Sequence, residues 1–190
     1  MIEIEQTKDS SGTTHQKLKL TEDDAARFDV TKFISPVTDT EIDVENLLSV
    51  GSIQDEFYVK LIEEINALYN YKFPTSLYIL MRKLLENLLI EILRKKYGTL
   101  ELELYYNTSK GRFNDFSVLL DNFESKLDDF KIITSSLDAD TIVKMRKYKE
   151  RGNKAAHSID TNITIDKIRS EKDDIDFIVN LLIRLLQNIT

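Results

Sequence analysis

The residues best equipped for chemistry in this 190-residue chain are gathered in one short run. Lys144 to His157 reads Lys-Met-Arg-Lys-Tyr-Lys-Glu-Arg-Gly-Asn-Lys-Ala-Ala-His, with six basic residues and a single acid between Lys144 and Lys154. Because the formal net charge of the chain is -7, this run is its one concentrated positive patch. His157 is the candidate proton carrier, since imidazole exchanges protons most readily near neutral pH. The ordinary alternative is a histidine that hydrogen-bonds or caps at a helix end. If the run is one helix, Arg146, Glu150, Asn153 and His157 fall at i, i+4, i+7 and i+11 and share a face, while Arg151 points elsewhere. Glycine is a poor interior helix residue, so a break at Gly152 could instead swing Arg151 toward His157. The sequence leaves both arrangements open, and with them whether Arg151 or Arg146 is the arginine that works with His157. Ala155 and Ala156 would let a neighbouring helix come close.

A second pair of charges interrupts the most apolar helical stretch, Leu77 to Leu93. At about 100° per residue, Arg82 and Glu86 fall beside Tyr78, Leu85, Leu89 and Leu93, away from the polar edge at Lys83, Asn87, Glu91 and Arg94. An unpaired charge there would be costly. Either the two form an i,i+4 ion pair at the margin of a helical bundle, or one of them orients a catalytic side chain on a neighbouring helix. Other chemistries lack their motifs. There is no cysteine for a disulfide or a thiolate metal site, no HxxxH or HExxH spacing, no Gly-rich phosphate loop and no serine nucleophile elbow. His15 has no supporting group nearby in sequence, and Asp128-Asp129 and Asp173-Asp174 read as solvated helix faces or first turns.

The elements that must position these residues are helices. Phe57, Leu61, Ile65 and Leu68 follow helical spacing from about Ile53, and the segment ends before Pro74. Thr75 or Ser76 offers a hydroxyl cap to a long central helix that carries Arg94, Lys95 and Lys96 in its last turn and stops at Gly98. Leu100, Leu102 and Leu104 alternate with acids and suggest one strand in an insertion without a core role. A third helix is expected from about Asn114 to Lys131, a fourth from an Asp138 cap through Met145 and Tyr148, and a last one from about Glu171 to Asn188.

Composition agrees. Two prolines and five glycines leave few forced departures from regular structure, which favours an all-α fold of four long helices plus a short one. Residues 1–50 read as an N-terminal extension. Ile2, Ile4, Leu18 and Leu20 could form a weak hairpin around Gly12, and Phe28, Val30, Phe33, Ile34 and Val37 could make an arm that covers the core or meets a partner. Residues 51–190 read as the helical domain. Acid at Glu3 and Glu5 where a secretory signal carries base, and no stretch of about 18 apolar residues, give a cytoplasmic expectation with no membrane role. The acidic balance confines any nucleic-acid contact to a local patch.

The order of these features resembles the HEPN (higher eukaryotes and prokaryotes nucleotide-binding) superfamily. The likeness rests on Arg-Lys-Leu-Leu-Glu at 82–86, an insertion, two further helices, Arg-Gly-Asn-Lys-Ala-Ala-His at 151–157 and a closing helix, over roughly Ile53 to Thr190. The family signature is an arginine and a histidine separated by four to six residues. It implies a metal-independent endoribonuclease or RNA-binding effector of a toxin-antitoxin or antiviral defence system, active as a homodimer and needing no cofactor or metal. His157 would then activate the 2'-hydroxyl or protonate the leaving oxygen, Arg151 would stabilise the transferring phosphate, Asn153 would bond either, and Glu86 would orient Arg151 or His157. Lys149 and Lys154, with Arg146, Lys147 and Arg82, would hold the RNA backbone. The alternative to this leading reading is a non-catalytic dimerisation or docking module within a larger defence assembly, with an antitoxin or defence-complex protein as a candidate partner.

Overall fold

The computed structural model describes residues 2–8, 14–20, 45–51, 53–157 and 163–189. They belong to two units, Met1–Asp43 and Val44–Thr190. In the first, β1 (Ile2–Lys8) and β2 (Thr14–Leu20) pair antiparallel, with Ile2 opposite Leu20 and Ile4 opposite Leu18. The alternation read from the sequence therefore marks a hairpin ladder. The apolar arm at Phe28 to Val37 lies outside the described residues.

The second unit opens with an extended segment that the sequence assigns to the extension. Leu47 and Leu48 are buried in the helical core. Asn66 holds them there, accepting from the Leu48 N–H at 2.9 Å and donating to the Leu48 carbonyl at 3.0 Å. Helix α1 (Glu56–Asn70) follows, capped by Asp55, whose carboxylate accepts from the Phe57 N–H. Its inward stripe is Tyr58, Leu61, Ile62, Ile65 and Tyr69. Phe57, expected inside, is exposed: the stripe begins one residue later, and Phe57 packs edge-on against Tyr58 beneath the Lys83 amine.

Helix α2 (Pro74–Tyr97) is central and packs against every other long helix. Its start differs from expectation. Pro74 takes the first helical position, where its missing N–H costs nothing, and no hydroxyl caps it. Gly98, at φ 55, stops it as foreseen. The following insertion contains no strand at Leu100, which is almost wholly exposed; Leu102–Leu104 form a 3-10 turn and β3 (Tyr106–Asn107) pairs with β4 (Arg112–Phe113). Nor does it lack a core role. Tyr105 is buried and donates to the Gly98 carbonyl, and the Asn122 amide donates to the Leu104 carbonyl at 2.8 Å.

The single helix expected from Asn114 to Lys131 is two, α3 (Phe116–Ser125) and α4 (Leu127–Lys131). Lys126 breaks it at φ -105 and ψ 13, its amine 2.6 Å from Glu101 and over the Tyr97 ring. The break lets Phe130 stack on Phe123, with centroids 4.6 Å apart. Helix α5 (Ala139–His157) then carries the basic run, α6 (Ile165–Arg169) is a short helix the sequence does not announce, and α7 (Lys172–Asn188) closes the unit. Among the described residues there are seven α-helices, so the all-α reading holds with two more helices than expected, one from the break at Lys126 and one from α6.

Asp138 starts α5 by accepting from the Thr141 N–H at 2.8 Å and the Thr141 hydroxyl at 2.7 Å. The backbone bond, then the hydroxyl, holds its carboxyl below the usual range. A depressed carboxyl stabilises the fold fully above its unfolded value, about 3.9, and ceases to as pH falls through the lower folded value. Asp138→Ala should therefore cost about 1 kcal/mol in urea unfolding at neutral pH, with the difference from wild type shrinking once the pH drops below about 4.

Candidate functional site

Helix α5 presents three faces. Thr141, Ile142, Met145, Tyr148, Gly152 and Ala155 form its buried seam, and the most extensive helix contact in the unit is with α2. The helix runs unbroken through Gly152 because that glycine is where the backbones come closest. A Cβ there would sit 2.5 Å from the Arg82 Cβ and 3.0 Å from the Tyr78 carbonyl oxygen. The close-approach role expected of Ala155 and Ala156 thus falls on Gly152; Ala155 is buried and Ala156 exposed.

With the helix intact, Arg151 does not swing toward His157. Its guanidinium makes a forked pair with Glu171, with one nitrogen on Oε2 and the other 2.7 Å from Oε1. The first nitrogen also donates to the Tyr78 hydroxyl at 3.2 Å. The Tyr78 and Tyr148 rings flank it, with centroids 5.6 and 5.8 Å from the guanidinium carbon. The Arg151 and Glu171 side chains are only 16% and 13% exposed. Forked guanidinium–carboxylate pairing of this kind is geometrically specific and strong. Lys147 joins the same carboxylate at 2.8 Å, although burial and the neighbouring Arg151 push its amine below the usual range.

Three more cations of the run are paired. Lys144 bridges Asp140 at 3.2 Å and Asp174 at 2.8 Å. Arg146 reaches Asp121 and Glu124 on α3, both at 2.7 Å. Lys149 donates to the Ser117 hydroxyl and lies 3.0 Å from Glu150. Lys154 is exposed and has no ion pair among the described residues. What reads in the sequence as a positive patch is therefore a seam of ion pairs binding α5 to α3 on one side and to the start of α7 on the other. Asp174, read as a solvated face or a first-turn acid, does lie in the first turn of α7 and is one of its members.

His157 is exposed on the last turn of α5. A six-residue separation places it about 120° around the helix and about 9 Å along it from Arg151. Within one chain the two do not converge. Asn153 and Lys154 share the His157 end of the helix, and no hydrogen bond reaches the Asn153, Lys154 or His157 side chains among the described residues. Glu86 does not orient Arg151 or His157. It pairs with Arg82 at 3.4 Å, its i,i+4 neighbour, because Arg151 is turned toward Glu171. Burial pushes the Glu86 carboxyl up against the opposing pull of Arg82. Arg82 also lies over the Phe116 ring, its Nε buried without a hydrogen bond. Among the described residues no group of His, Asp or Glu side chains is placed to hold a metal ion.

Glu171 is the residue sequence reasoning missed. It precedes the last helix, where an acid is expected in any case, and nothing local announces Arg151 and Lys147 as its targets. Two outcomes follow for unfolding measurements. Glu171→Ala leaves the largely buried Arg151 guanidinium uncompensated and should cost about 3 kcal/mol. Gly152→Ala forces the α2–α5 crossing apart and should cost about 1–2 kcal/mol, overpacking outweighing the better helix propensity of alanine. No family model, curated protein or solved structure matches this chain.

Proposed function

We propose that the helical unit is a non-catalytic, HEPN-like module that acts by docking, to a second copy of itself or to a protein of a larger defence assembly. The observation that carries this reading is the commitment of Arg151: a guanidinium clamped by Glu171 and two tyrosine rings is not free to stabilise charge on a transferring phosphate. The neutralised state of the surrounding cations supports it, because binding an RNA backbone depends on lysines and arginines free to displace counterions. Contact groups are at hand in the turn between α1 and α2, where Tyr71 and Phe73 stand 65% and 57% exposed. Aromatic side chains are preferred anchors at protein interfaces.

A second reading, the metal-independent ribonuclease, is favoured by one observation: Asn153, Lys154 and His157 fall in the last turns of α5, with no side-chain hydrogen bond or salt bridge among the described residues. A second copy would have to supply the arginine that this chain withholds. One set of experiments tests both readings. Purified protein incubated with mixed RNA in chelator should give no cleavage above that of His157→Ala, and light scattering should report a dimer that the Tyr71→Ser/Phe73→Ser variant loosens about tenfold. Cleavage abolished by His157→Ala would establish the nuclease instead. A monomer at all concentrations would remove self-association.

A further inference from the structure

On the side of the unit away from the basic run, a cavity of about 610 Å³ lies between the start of α1, the middle of α2 and the end of α7. Its floor is apolar, formed by Leu88, Ile183 and Leu186. Gln54 and Gln187 line the cavity as well, and one polar group interrupts the floor. Tyr58 is only 4% exposed, lines the cavity, and its hydroxyl has no hydrogen bond to any described residue. A hydroxyl that lines a cavity without a protein partner is available to donate to an acceptor on a ligand.

The rim limits what the ligand can be. The Asp55 carboxylate is committed to the Phe57 N–H at 2.9 Å, Glu91 to Arg94 at 2.5 Å, and the Lys95 amine to the Leu186 carbonyl at 3.1 Å. Each charge facing the cavity thus already has a partner, and with Arg94 counted beside Glu91 the two carboxylates are matched by two cations. Burial and the Glu91 and Asp55 carboxylates push the Tyr58 phenol well above its usual range, so it remains a neutral O–H donor. The volume falls within the span of small-molecule sites, roughly 300–1,000 Å³.

We infer that this cavity is a binding site for an uncharged, largely apolar small molecule carrying one hydrogen-bond acceptor, which the Tyr58 hydroxyl receives. The site is independent of the Arg151 network and of the docking reading. Quinoline and naphthalene make a matched pair of probes, equal in shape and differing in a single acceptor nitrogen. Titrated into the isotope-labelled full chain and followed by amide NMR shifts, quinoline should bind about fivefold more tightly than naphthalene, with shifts centred on residues 55–58, 88 and 183. Tyr58→Phe should bring quinoline down to the naphthalene level. Glu91→Trp, a rim substitution that leaves the core untouched, should block both probes. No binding by either probe, equal affinity for the two in wild type, or binding unaffected by Glu91→Trp would each overturn the inference.

Discussion

A guanidinium lying between two phenol rings and clamped by a carboxylate joins three parts of the helical unit that are far apart in sequence. Arg151 and Tyr148 come from α5, Tyr78 from α2, and Glu171 from the residue that begins α7. The arrangement requires α5 to lie close on α2, and Gly152, the next residue, makes that possible by having no side chain. The two features depend on each other. Without the close approach Arg151 could not reach Tyr78, and without the ion pair a charge would be left in a largely apolar wall.

The same logic extends along α5. Lysines and arginines on its flanks meet acids from α3 and from the start of α7, so a helix rich in positive charge becomes a neutral strut between its neighbours. Most of these pairs are half-exposed and individually contribute little. Their joint effect is on register, since each long side chain reaches its acid only when α5 is correctly rotated about the Gly152 contact. A seam of this kind uses up the charge that a nucleic-acid groove would need.

The chemistry left over lies elsewhere. Asn153, Lys154 and His157, in the last turns of α5, take no part in the seam. The Tyr58 cavity is built from α1, α2 and α7, elements that do not belong to the basic run. The Arg151 network and the Tyr58 cavity thus occupy different regions of one small bundle.

Periodicity alone made α1, α2, α5 and α7 legible, because a long amphipathic or fully apolar helix repeats its pattern many times over. The stop at Gly98, the Asp138 cap and the partial burial of Arg82 and Glu86 were legible for the same local reasons. Three things were not. The break at Lys126 depends on a lysine leaving to meet Glu101 and on Phe130 turning to stack on Phe123. The path of α5 through Gly152 depends on what the glycine touches. The fate of the basic run depends on Glu171, Asp174, Asp121 and Glu124, whose side chains reach it only once the bundle has closed. Local sequence records which residues want a helix and which carry charge; which charge meets which is settled by packing, because ion pairing acts over a few ångströms in space and is blind to separation along the chain.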